Sequence, residues 1–410
     1  MKKIVAFFAA LAILALILFA PLESPAPWSE NEYKSDSFLG KSAGLKAPPF
    51  LAEFTVGYSR QNDYTVITFD YLNSFIKQEK ESEDIPGLSA SIIKDDEIIW
   101  LNSFGYADIA GRIKVSEQTI FMVASISKLV VATAIMQLYE RQQLDLDDNI
   151  NDYLPFQVIN PNYPNKHITF RMLLAHTSSI NDNDYEVYSW GKDSPVALGD
   201  FLRSYFVPGG EHYSEAENFY KRKPGTYYDY SNVGFALLGY LVENISGKSF
   251  DEYCRENIFI PLGMTSTAWK LESIDISRKA VPYNIGLEPY QHYTSADYPT
   301  RQLMTTINDI SNFLLAYMKG GAIGDKQLLM NSTIELMKDR QFTEAQNTFG
   351  LGWYYDSSIG QELFGHIGIE MGVSTAMFFN PETNIGGIIL SNGEDIDLSP
   401  ILEQMFKAAK

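Results

Sequence analysis

Ser125-Ile126-Ser127-Lys128 sets a hydroxyl and an amine three residues apart, at the head of an apolar run that continues to Leu138. The stretch Phe121 to Glu140 carries almost no charge on any face, so it reads as a helix buried on all sides. Residues three apart share a helix face and their side chains can meet. Ser125 and Lys128 would therefore share a patch at the start of a core helix. Low dielectric there would lower the lysine's pKa far enough for it to act as a base toward the hydroxyl. That pairing makes Ser125 a candidate activated nucleophile.

SxxK is a short pattern, and the chain repeats it at Ser74-Lys77, Ser91-Lys94 and Ser189-Lys192. Ser91 and Lys94 fall in a strand-like stretch (LSASIIK), where positions three apart point to opposite faces. Ser189 to Lys192 lies in a Gly- and Pro-punctuated loop with no helix to hold it. Ser74 and Lys77 sit on a helix running into Gln78-Glu79-Lys80-Glu81, on its solvated side. Only the Ser125 copy combines helical spacing with a buried setting.

At 410 residues the chain can bury a large core, and 45% hydrophobic with 13% aromatic content argues against general disorder. With 32 basic and 51 acidic residues the formal charge is −19, which makes nucleic acid and anionic lipid surfaces poor partners. Met1-Lys2-Lys3 followed by the apolar stretch Ile4 to Ala20 reads as an export signal, or as an uncleaved membrane anchor through residues 4–20. Either places the rest of the chain outside the cytoplasm, periplasmic or secreted. Residues 21–64, rich in proline, serine and charge, read as a linker or arm. The single cysteine, Cys254, excludes an intramolecular disulfide and reads as a small core residue. Five scattered histidines without HExxH give no metal-site pattern, and no metal or organic cofactor is expected. The oligomeric state has no signature in the sequence.

The expected domain runs from residue 65 to 410. Its pattern predicts a helix over Val66–Lys80, then strands at Gly87–Lys94 and Ile98–Tyr106 joined across Asp95-Asp96. After the core helix come helices at Ile168–His176, Val233–Ile245, Phe250–Phe259 and Ile307–Met318, with a loop-rich stretch over Asn181–Asn218. Strands return at Tyr354–Tyr355, Glu362–His366, Ser374–Phe379 and Gly386–Leu390, before a last helix from Pro400. Strands at both ends and helices in the middle predict an α/β (α+β) fold. In it, one antiparallel sheet is assembled from both termini, flanked by helices, with a mostly helical subdomain inserted at about 125–300.

Three further strings follow the SxxK: Leu173-Leu174-Ala175-His176-Thr177-Ser178, then Tyr230-Ser231-Asn232 behind Pro224-Gly225-Thr226, then His366-Ile367-Gly368. YxN recurs at Tyr71-Asn73 and Tyr163-Asn165, whereas HxG occurs once; the specific signal is the order SxxK, YxN, HxG. Together these resemble the serine β-lactamase and penicillin-recognising family, in particular its class C branch, which also holds D-Ala-D-Ala carboxypeptidases, D-aminopeptidases and esterases. The resemblance runs from about Val66 to the C-terminus. It implies an exported serine hydrolase acting on a small-molecule or peptide substrate: a D-amino-acid peptide, a β-lactam or an ester. Ser125 would form an acyl-enzyme, with its own N–H and that of Ile369, just past Gly368, receiving the oxyanion. Lys128 and Tyr230 would share the proton, since a phenol needs an adjacent cation to serve as a base. Asn232 would bind the substrate's amide and fix Lys128, and His366 would orient the tyrosine or a substrate carboxylate. His176 would hold a turn.

The sequence departs from the family pattern in three places. His366 stands where many β-lactamases have lysine, which weakens the case for efficient β-lactam hydrolysis, because a histidine is only partly charged near neutral pH. Ser179 replaces the glycine usual after the HTS string, and Arg301-Gln302 stands where a Gly-Gly pair is common. Other reactions lack their patterns. Gly372-Val373-Ser374-Thr375-Ala376 misses the last glycine of GxSxG, and Gly247-Lys248-Ser249 lacks the first glycine of a P-loop. The remaining alternative is a non-catalytic or acylate-only binding or sensor protein on the same fold.

Overall fold

The computed structural model describes residues 67–410, apart from 184 and 186. The expected export segment and the whole of the expected arm lie outside the described residues. Helix α1 (Phe69–Ser82) starts at Thr68, whose hydroxyl accepts from the Tyr71 N–H, and buries Leu72 and Ile76. Strands β1 (Gly87–Lys94), β2 (Glu97–Asp108) and β3 (Ile113–Lys114) follow, while β4 (Tyr354–Asp356), β5 (Leu363–Glu370), β6 (Val373–Asn380) and β7 (Ile385–Ser391) come from the far end of the chain. They form one antiparallel seven-stranded sheet in the order β4-β5-β6-β7-β1-β2-β3. The seam between the two ends pairs Leu88 with Ser391 and Lys94 with Ile385. One sheet from both termini is therefore what the chain builds.

Both faces of this sheet are covered, so its central strands β6, β7 and β1 are buried almost without a break instead of on alternate residues. Along β6, Ala376 and Phe378 face α1 and the C-terminal helix α5 (Ser399–Ala408), while Met377 and Phe379 face the large core shared with the helices. In that core lies α2 (Ser127–Glu140), with every residue from Ser127 to Leu138 buried. Helix α3 (Asn232–Ser246) packs against it, and α4 (Ile307–Met318) packs on β7 and β1.

Several expected boundaries move, each for a local reason. The core helix does not begin at Phe121. Phe121-Met122 pair with Met304-Thr305, a 3₁₀ turn follows at Ala124–Ile126, and the α-helix opens at Ser127. The helix expected over Ile168–His176 is limited to Phe170–Leu174, because Thr169 caps its start and His176 takes a left-handed φ of 53°. The segment expected as helix to Phe259 widens into a π-turn at Arg255–Phe259. Asn181–Asn218 is not wholly loop: it contains the helix Leu198–Phe206, and the strand Tyr188–Trp190 paired with Tyr293–Ser295, so Ser189 lies in a ribbon. Strand β5 runs to Glu370, past the expected end at His366, and so includes Gly368 and Ile369.

That extension matters for position. Strand β4 pairs only with Leu363–Gly365, so the half of β5 from His366 onward has β6 on one side and, among the described residues, no strand on the other: an open edge. A Cβ on Gly368 would stand 2.4 Å from the Val123 carbonyl oxygen and 2.3 Å from Thr375 Oγ1. The missing side chain lets β5 lie against the turn that carries Ser125. Gly368→Ala should force the strand outward, lowering stability by about 1–3 kcal/mol. Thermal unfolding of this variant is the check, and an unchanged midpoint would contradict the close approach.

Candidate active site

Ser125 sits in the middle of the 3₁₀ turn, half-buried, after Ala124, whose φ of 46° is rare for a residue with a side chain. Ser127 anchors the turn from below, its hydroxyl accepting from the Leu303 N–H at 3.1 Å. One turn on, Lys128 is fully buried. A buried ammonium must be met by oxygens, and Nζ donates to Ser125 Oγ at 2.9 Å, Asn232 Oδ1 at 2.7 Å and the Thr300 carbonyl at 3.0 Å. The Tyr230 hydroxyl reaches the same Ser125 Oγ at 3.0 Å, and Nζ lies 5.0 Å from the centre of the Tyr230 ring. A proton leaving Ser125 thus has two nitrogen- or oxygen-centred neighbours within hydrogen-bond reach.

Long-range contacts fix Tyr230 and Asn232. His176 accepts the Asp229 N–H on its carbonyl at 2.8 Å and the Ser231 N–H on Nδ1 at 3.0 Å, and its ring stacks on Tyr230 with centroids 4.2 Å apart. It holds the turn, as its sequence context implied. Burial, reinforced by Lys128 and His366, drives its pKa well below the usual 6.5, so it is neutral with Nδ1 as the acceptor. Asn232 is the first residue of α3, whose N-terminus is capped twice. Ser231 Oγ accepts from Gly234 N–H, and the half-buried Asp182 carboxylate accepts from Ser231 Oγ and from the N–H groups of Asn232 and Val233 at 2.6 and 3.0 Å. Gly239, one face along α3, leaves room for Pro299, to which a Cβ would approach within 2.9 Å; this seats the segment ending in Thr300.

The structure thus gathers Ser125, Lys128, Tyr230 and Asn232 into one bonded cluster, with Gly368 against its turn. Ile369 follows on the open edge of β5, its side chain exposed. His366 departs from its expected character. It is buried, its ring 6.3 Å from that of Tyr230 and 5.0 Å from that of Tyr354, and Nδ1–H donates to the Ile367 carbonyl. Burial and the nearby Lys128 push its pKa down to about 3. The ring is therefore neutral, not partly charged, and offers no cation to a substrate carboxylate; Nε2 is left as an acceptor.

Two participants escaped the sequence reading. Thr300 acts through its backbone carbonyl, which no side-chain pattern reveals. Asp182 caps a helix that starts 50 residues later, and nothing local in Asn181-Asp182-Asn183 announces that partner.

A serine hydroxyl shared by a helix-borne lysine and a tyrosine, beside the open edge of an antiparallel sheet, defines the penicillin-recognising class of serine acyl-transfer folds. The chain belongs to the Beta-lactamase family, whose model matches residues 72–405. It is 27% identical over 326 residues to "Protein flp" of Staphylococcus aureus (strain MRSA252), covering 78% of this chain and 62% of that protein. It is 28% identical over 272 residues to the "Putative penicillin-binding protein PbpX" of Bacillus subtilis (strain 168), covering 65% of this chain and 61% of the relative. The chain therefore spans less than two thirds of these curated relatives. Among solved structures, the octameric penicillin-binding protein homologue from Pyrococcus abyssi superposes with a TM-score of 0.65 at 25% identity, over 84% of this chain and 77% of that one. The penicillin binding protein from Bacillus halodurans shares the fold with a TM-score of 0.63 at 24% identity, over 81% and 97%.

The neutral His366 carries a pH signature. An unfolded histidine titrates near 6.5 and His366 near 3. Above pH 6.5 neither state holds the proton; below it the unfolded chain takes one up and the folded chain does not. Stability accordingly falls as pH drops from about 6.5 toward 3, by about 2 kcal/mol at pH 5 for this one ring. His366→Phe should flatten the fall in melting temperature between pH 7 and pH 5, and identical slopes in variant and wild type would count against the assignment.

Proposed function

We propose that the chain is an exported serine hydrolase that forms an acyl-enzyme on Ser125 and acts on a small amide or ester. The observation that carries this reading is the double contact on one oxygen, Lys128 Nζ at 2.9 Å and Tyr230 Oη at 3.0 Å from Ser125 Oγ. In the mechanism that follows, Ser125 Oγ attacks a carbonyl carbon while its proton passes to the Lys128–Tyr230 pair. The negative charge on the tetrahedral oxygen is received by the N–H groups of Ser125 and Ile369. Tyr230 returns the proton to the leaving group, and the same pair then activates the water that releases the acyl group. Asn232 holds both Lys128 and the substrate amide.

Substrate preference follows from His366. A neutral imidazole replaces the permanent cation that would grip the carboxylate of a penicillin or a peptide C-terminus. This favours esters and amides whose recognition does not depend on that carboxylate. Export, periplasmic or secreted, rests on residues 1–20, with attachment through 4–20 where the segment is retained. The relative named as a penicillin-binding protein supports a second reading, in which acylation occurs and hydrolysis does not.

Steady-state assay of the full-length protein with p-nitrophenyl acetate separates the two. Turnover is expected, and Ser125→Ala should lower it by at least about 10³-fold. A single stoichiometric burst without turnover would favour the acylate-only reading, and unchanged activity in Ser125→Ala would remove the nucleophile assignment.

A further inference from the structure

Beside the catalytic cluster lies a buried group of charges that the acyl-transfer scheme does not use. Arg301, only 9% exposed, donates from Nη1 to Glu370 Oε2 at 2.7 Å and to the Tyr188 hydroxyl at 2.8 Å. From Nη2 it donates to Asp297 Oδ2 at 3.0 Å, and from Nε to Thr300 Oγ1 at 3.3 Å. Asp297 and Thr300 belong to the same segment as Arg301, and the other two partners come from elsewhere in the site. Thr300 offers its carbonyl to Lys128. Glu370 ends β5, directly after Ile369. Tyr188 comes from the ribbon of the long segment between His176 and Tyr230, and its hydroxyl also donates to Glu370 Oε1 at 3.1 Å.

We infer that Arg301 is a positioning residue: its guanidinium ties the segment that holds Lys128 to the strand edge that follows the HxG motif, and so sets the geometry in which Ser125 is acylated. The inference rests on Ser125 being the nucleophile. Arg301 and Gln302 occupy a place where the family pattern commonly has two glycines, so this staple is a feature of this chain and not of the framework. Energetics point the same way. A buried ion cluster contributes little net stability compared with apolar packing, so the role assigned to this one is to fix a single arrangement. Arg301 suits this use because its planar fork presents several donors in fixed directions toward two carboxylates, whereas a lysine offers one point charge. Burial opposes its charge, but Asp297, Tyr188 and Glu370 together hold its pKa well above the ordinary arginine value.

The staple also has an electrostatic consequence for Lys128. Tyr230, His176 and His366 surround that amine, and beyond Asn232 and Thr300 stand Asp182, Asp297, Arg301 and Glu370. Without Arg301, its former partners Asp297 and Glu370 would add to Asp182 in favouring protonated Lys128 and so delay the appearance of the base as pH rises.

The test is the rate at which an uncharged fluorophosphonate labels Ser125 in the full-length protein, followed by intact mass from pH 5 to 9. Arg301→Met should label about 30-fold more slowly, the scale expected for a small misplacement of reacting groups. Its acid limb should move to higher pH. Adding Glu370→Gln to that variant should move the limb back and recover part of the rate, which a merely structural loss would not produce. Arg301→Lys, keeping the charge without the fork, should fall between. Equal rates and equal midpoints in Arg301→Met and wild type would overturn the inference while leaving the acyl-transfer reading intact. Failure of the wild type to label at Ser125 would overturn both.

Discussion

The site depends on the burial of one ammonium. Lys128 lies in a helix with no solvent-facing side over most of its length, and a lysine left there without oxygen partners would be too unfavourable to keep. Its needs are met by three oxygens, one local and two from distant points of the chain: the Ser125 hydroxyl, the Asn232 amide and the Thr300 carbonyl. Those demands explain other features. Asn232 reaches Lys128 because Asp182 and Ser231 cap α3 at that spot, and Thr300 reaches it because Gly239 admits Pro299. Meeting the charge and assembling the reactive group are one structural event.

The surroundings of that ammonium are kept neutral where they could compete with it. His176 and His366 flank the cluster as uncharged rings, each held by a backbone hydrogen bond that selects its tautomer. The first braces Tyr230 by stacking; the second fills the place where related enzymes carry a cation. Charge reappears beside the cluster, in the largely buried group of Arg301, Asp297 and Glu370. Positive charge is thus concentrated on one amine beside Ser125 and one guanidinium at the junction of three segments.

Much of this was legible in the sequence, for identifiable reasons. Ser125 and Lys128 stood out because helical spacing and an uninterrupted apolar run are local properties. Tyr230, Asn232 and Gly368 came from ordered motifs, and the sheet followed from strands concentrated at both ends of the chain. What could not be read depends on tertiary encounters: the Asp182 cap, the Thr300 carbonyl and the four-way grip of Arg301. Even the state of His366 belongs here, since its spacing says nothing about burial, and burial decides its charge. Helix limits moved for the related reason that His176 and Ala124 adopt left-handed backbone conformations that residue type alone does not announce.

The most direct measurement is rapid-quench mass spectrometry of the full-length chain mixed with an activated acetyl ester. The account predicts a transient species heavier by one acetyl group, with the modification on the peptide containing Ser125. It also predicts loss of that species when Lys128 is replaced by methionine. An acetyl group found on another residue, or one that forms on Ser125 equally fast without Lys128, would contradict it.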